Sequence, residues 1–192
     1  MIVELGVTIL TSSVISAGIS SFVSWKMKNK ELIVTLKLEE KNTWINNINQ
    51  AIREYNNHLT DYSSSLMKYS LNEIDKDEIA NKLIQCNNSK NSLIYFILQC
   101  EYAVNLRSEA IDLINEITNK VNQQREFAVK GNSEKIDYQK LHDGMAKFEF
   151  DIGNLNFDFT EKLGEMVRVE KIIMTNNIID GKKTITYLDL TR

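Results

Sequence analysis

From Ile45 onward, apolar side chains return at alternating intervals of three and four residues: Ile45, Ile48, Ile52, Tyr55, Leu59, Tyr62, Leu66 and Tyr69. This heptad seam marks a helix that buries a narrow stripe against one or two partner helices. The register continues weakly back through Leu38 and Val34, with Lys41 interrupting it, so a helix is expected over about 26–70. Leu71 to Asp77 carries a turn signal. Asn72 or Asp75 can cap the next helix, with Glu78 three residues after Asp75 in capping-box spacing. A second helical region is expected over about 75–129, with a seam that includes Ile79, Leu83, Cys86, Leu93, Ile97, Val104, Ala110, Ile114, Ile117 and Val121. The polar run Asn87 to Ser92 is the candidate kink or break within it.

Lys130-Gly131-Asn132-Ser133 reads as a helix stop with Ser133 as the following cap. A third helix is then expected over about 134–176. Leu141, Met145, Phe148, Ile152, Leu155, Phe159, Leu163 and Val167 keep a spacing close to 3.5 residues. Within it, Phe148, Phe150 and Ile152, then Leu155, Phe157 and Phe159, also alternate around Gly153-Asn154 in the manner of a β-hairpin. Helix is the favoured reading, because the preceding helices need a partner with a matching seam. After Asn176 the signal changes: Asp180-Gly181 marks a turn and Thr184 to Leu190 favours extended structure, so 177–192 reads as a short strand or loose arm.

The N-terminus has a different pattern. Leu5 to Trp25 contains no charged residue, and as a helix it would be about 31 Å long, close to the ~30 Å of a bilayer's hydrocarbon. Hydrophobicity is only moderate, because eight positions from Leu5 to Ser24 are Ser or Thr; their hydroxyls can bond back to helix carbonyls. Trp25 followed by Lys26, Lys28 and Lys30 has the form of a membrane interface, and the lysines place that side in the cytoplasm with Met1 outside. A cleaved signal peptide and a buried helix of an assembly are the competing readings; the first lacks a positive n-region, carrying Glu4 instead. The expected domains are thus an anchor over 1–25, a cytoplasmic bundle over 26–176 and a tail over 177–192. Along the anchor, Ser12, Ser16, Ser20 and Ser24 recur every four residues beside Ser13, Ala17 and Ser21, a small-residue stripe of the kind that lets helices approach closely in lipid.

Composition supports long helices. The 192 residues include no proline and seven glycines, so little interrupts a helical run. Lys+Arg number 23 against 26 Asp+Glu, for a net charge of −3. That balance disfavours binding to a nucleic-acid backbone. Two cysteines cannot build a disulfide framework, and Cys86 and Cys100 read as small core residues. Abundant Ile, Lys and Asn fit an AT-rich bacterial or phage genome.

Candidate chemistry is sparse. His58 and His142 fall in different helical regions; Glu54 and His58 stand four apart, but the Glu-x-x-His repeat of bundle metal sites is missing. Glu149, Asp151, Asp158, Glu161 and Glu165 lie mostly off the apolar seam, as a solvated face does. No phosphate-binding glycine loop or nucleophile elbow occurs.

The stretch Glu40-Lys41-Asn42-Thr43-Trp44-Ile45-Asn46-Asn47-Ile48-Asn49-Gln50-Ala51-Ile52 resembles a segment of small single-span bacterial membrane proteins of unknown function, in which charged residues and Trp-Ile on an amphipathic helix follow the anchor. Asn49 stands where that pattern often has Arg. The resemblance implies a helical cytoplasmic region and no known reaction.

The sequence thus predicts an all-α protein: an N-terminal transmembrane helix, then an elongated antiparallel helical bundle or coiled coil, then a short extended tail. The expected function is non-enzymatic, a membrane-anchored interaction or scaffold protein in a bacterial inner membrane. It needs no cofactor or metal, binds no nucleic acid, is homo-oligomeric, and has the bilayer and a cytoplasmic protein as partners. The alternative is a membrane effector of phage-exclusion or defence type, whose Ser-rich spans assemble and perturb the bilayer.

Overall fold

The computed structural model describes residues 2–133 and 137–180, with side chains for 20–133 and 137–176. Four helices follow one another: α1 (Ile2–Ser70), α2 (Lys76–Leu98), α3 (Val104–Ser133) and α4 (Tyr138–Asp180). The chain divides into two compact units, with the boundary between Asn42 and Thr43.

The second unit, from Thr43 on, is an up-down-up-down four-helix bundle. Cross-helix pairs fix the directions. Trp44 Nε1 donates to the Phe96 carbonyl at 3.1 Å, and Lys82 meets Asp61 at 2.7 Å, so α2 runs against α1. Ser63 meets Gln124, and further along Asn132 Nδ2 donates to the Tyr69 carbonyl at 2.8 Å, so α3 runs with α1. Lys162–Glu109 at 2.9 Å and Lys120–Asp151 at 3.0 Å set α4 against α3. Tyr55 of α1 meets Phe159 of α4 edge-on, with ring centroids 5.9 Å apart.

The core is the expected seam. Ile48, Tyr55, Leu59, Tyr62 and Leu66 are buried, and Ile45, Ile52 and Tyr69 are partly buried against them. Tyr55 and Tyr62 are each 1% exposed, so their rings end inside the bundle, not in water past the seam. Leu93, Ile97, Leu106, Ile114, Ile117, Met145, Phe159, Leu163 and Ile173 complete the interior.

The turns follow from local chemistry in two places and from tertiary contacts in a third. Asn72 adopts a positive φ of 59° just past α1, and Glu73 N bonds back to the Lys68 carbonyl at 2.9 Å, which closes α1 with a left-handed cap. Asp75 caps α2 as expected, accepting from Glu78 N at 2.8 Å. At the start of α4 the cap is Asp137, which accepts from Lys140 N at 3.2 Å; Ser133 instead bonds back to the Val129 carbonyl inside α3.

The break between α2 and α3 falls at residues 99–103, not in the polar run 87–92. That run stays helical, and Ser89 is buried with its hydroxyl bonded to the Cys86 carbonyl at 3.0 Å. The 148–159 segment is helix throughout, within α4. Helix also continues through 177–180 to Asp180; the rest of the expected tail, 181–192, lies outside the described residues.

The expected membrane anchor is corrected. Among the described residues, no helix is long and apolar enough to cross a membrane. The helix that carries the expected anchor continues without a stop into the charged stretch beyond Trp25, and the side chains of residues 2–19 lie outside the described ones. The transmembrane helix over 1–25 therefore drops out of the fold description, and single-pass placement in an inner membrane drops out with it.

Candidate functional site

Among the described residues, no group of His, Cys, Asp and Glu could hold a metal ion. Glu54 accepts from Gln50 Nε2 at 2.8 Å, and His58 is half-buried with its Nδ1 lacking a partner. Of the acidic cluster on α4, Asp151 pairs with Lys120, and Glu165 reaches Lys162 at 3.4 Å. Burial raises the Glu149 carboxyl above its ordinary range, against a smaller lowering by His142. Lys162 is raised, chiefly by its hydrogen bond to Glu109. Both cysteines are free and buried. Burial pushes the Cys86 thiol up to about 11 and the Cys100 thiol up to about 12, so both are held as inert thiols. A cleft of about 110 Å³ between α1, α2 and α3, lined by Tyr62, Leu66, Tyr69, Ile79 and Val129 among others, has room for one side chain.

The seam residues named by the sequence, Ile45 to Tyr69, are committed to this chain's own bundle. Of the small-residue stripe, Ser20, Ser21 and Ser24 are exposed on α1, while the side chains of Ser12, Ser13, Ser16 and Ala17 lie outside the described ones. Trp25, Lys26, Lys28 and Lys30 are exposed on the same helix.

Among the described residues, two helix faces carry exposed apolar side chains at regular spacing. In the first unit, every described side chain from Ser20 to Ile33 is exposed. Phe22 and Trp25 are each 61% exposed, Leu32 58%, Ile33 55% and Leu36 54%. Phe22, Trp25, Leu32 and Leu36 share one stripe, and Asn29 fills the position that completes its three–four spacing. Phe22 and Trp25 touch each other, with centroids 6.1 Å apart.

In the second unit, the outer face of α4 carries Phe150 and Phe157, each 69% exposed, the highest values among the large hydrophobics. Between and beyond them stand Gly153 and Gly164, where an added Cβ would meet nothing within 4 Å. Two glycines in an exposed helix interior each cost about 1 kcal/mol relative to alanine. Among the described residues, no side chain fills the space they leave. Gly144 differs: a Cβ there would lie 2.6 Å from the Phe127 ring, so its absence lets α3 and α4 approach.

The sequence missed this second face because its signal was mixed with another. Phe150 and Phe157 supplied two of the six apolar positions in the apparent β-alternation, yet they stand seven residues apart on a helix. No family model matches the chain, and neither a curated protein nor a solved structure matches it.

Proposed function

We propose that this is a non-catalytic interaction protein that works by helix association. The observation that carries this reading is the uncovered stripe of Phe22, Trp25, Leu32 and Leu36 on α1. A helix in water owes most of its stability to the packing of its apolar face. A stripe at heptad spacing is shaped for another helix, and large exposed apolar patches on a folded chain mark interaction surfaces. The buried seam gives the second unit a folded bundle of its own and leaves the α1 stripe as the uncovered surface.

The test is light scattering and hydrogen exchange on the full chain against the variant Trp25→Ser, Leu32→Ser, Leu36→Ser. The expected result is a higher-order complex in the full chain, with amides of 20–42 protected more strongly as concentration rises, and loss of that protection in the variant. Equal exchange in both chains at every concentration would overturn the reading.

A further inference from the structure

A single seven-residue series runs along the solvent side of α4: Asp143, Phe150, Phe157, Gly164, Lys171. All five are exposed. The series begins with an acid, ends with a base, and holds two aromatic knobs and one notch with nothing within 4 Å of the missing Cβ. We propose that this face pairs with α4 of a second copy of this chain, antiparallel about Phe157.

The spacing decides the occupant and its direction. Phe150 lies seven residues before Phe157 and Gly164 seven after it; Asp143 and Lys171 lie fourteen before and after. An antiparallel twofold through Phe157 therefore sets Phe150 of each copy into the Gly164 notch of the other. It sets the two Phe157 rings against each other and Asp143 beside Lys171 at both ends. Parallel pairing would put Asp143 on Asp143, Lys171 on Lys171 and Gly164 on Gly164, leaving both notches empty. A strict seven-residue repeat also drifts slowly around a 3.6-residue helix, which gives the left-handed crossing of two-helix packing. From Asp143 to Lys171 the paired length is about 42 Å. Within the single chain, Asp143 engages its own helix, accepting from Gln139 Nε2 at 2.9 Å and lying 3.6 Å from His142 Nδ1.

This pairing is independent of the α1 stripe, and the experiment keeps the two apart. The full chain carrying Trp25→Ser, Leu32→Ser, Leu36→Ser is examined by sedimentation equilibrium. It is expected to remain a dimer. Adding Phe150→Ser or Phe157→Ser raises the dissociation constant about tenfold or more, as for a buried aromatic anchor. Adding Asp143→Lys weakens the dimer about fivefold, and the further change Lys171→Asp restores it, as expected of a rim ion pair. Circular dichroism confirms that each variant stays helical. In the same background, mild oxidation of a Phe157→Cys chain yields a disulfide dimer, while a Gln123→Cys chain, altered on the exposed side of α3, does not. A monomer at all concentrations in the triple-serine background, or a dimer indifferent to Phe150→Ser and to the charge exchange, overturns the proposal.

Discussion

Glu170 of α4 accepts a hydrogen bond from the Cys100 thiol at 3.1 Å, although the two lie seventy residues apart. The same carboxylate accepts from Glu101 N at 2.9 Å, Tyr102 N at 2.8 Å and Ala103 N at 3.2 Å. It is 1% exposed and satisfies amides at the start of α3 that no intrahelical carbonyl can reach. Glu170→Ala is expected to cost about 3 kcal/mol in urea unfolding, because it leaves buried donors unpaired. Glu170→Gln keeps an acceptor oxygen and is expected to cost less. An equal loss for both would show that charge, not hydrogen-bond geometry, holds the corner.

Ser63 and Gln124 form a closed pair in the core. Ser63 Oγ donates to Gln124 Oε1 at 2.9 Å, and Gln124 Nε2 donates to the Ser63 carbonyl at 3.1 Å. Gln124 is 0% exposed. Gln124→Leu is expected to destabilise by about 2 kcal/mol, since the Ser63 groups lose their partner. Ser63→Ala in the Gln124→Leu chain should then cost almost nothing more. A double-mutant cycle on the four chains measures a coupling of about 1 kcal/mol.

Stability should fall on the alkaline side. Burial raises Cys86 to about 11, and raises Cys100 and Tyr62 to about 12; Tyr55 is raised by the same cause. These groups stay protonated in the folded chain at pH values where the unfolded chain has released its protons. The unfolded state therefore binds fewer protons, and raising the pH favours it. Their contribution is whole below the ordinary thiol range near 9 and is lost as pH climbs towards 11–12. Urea midpoints between pH 8 and pH 11 test this, as does a thiol reagent that should label both cysteines only after unfolding.

The glycines of α4 should split into two classes. Gly153→Ala and Gly164→Ala meet nothing and gain helix propensity, so each is expected to raise the stability of the monomer by about 1 kcal/mol. Gly144→Ala forces its Cβ against the Phe127 ring, itself packed on Phe148 with centroids 5.8 Å apart, and should destabilise. Thermal melts in dilute solution compare the three.

The parts of the fold that periodicity and caps determine were legible in the sequence. Five of the eight seam positions from Ile45 to Tyr69 are buried, with Ile45, Ile52 and Tyr69 packed partly buried against them, and Asp75 caps α2, because each is a local pattern with a local cause. The corner at 99–103 was not legible. It contains no glycine, proline or asparagine, and it exists because Glu170 and Trp44 reach it from distant helices. Phe150 and Phe157 misled for a different reason: they fall off the helical seam but complete a β-alternation, so in the sequence they read as hairpin signal and not as an exposed helix face. The charge-free run before Trp25 suggested a span through its length and its Trp-Lys flank, both local signals, whereas no helix among the described residues is long and apolar enough to cross a membrane.

The α2–α3 corner also bears on how the bundle can be cut. Trp44 holds the carbonyl end of α2, and Glu170 holds the amide end of α3. A fragment lacking either α1 or α4 would expose half of that corner's backbone to a contest with water. The middle hairpin thus leans on both outer neighbours, and a shuffled or truncated gene that dropped either would hand it on with a loosened corner.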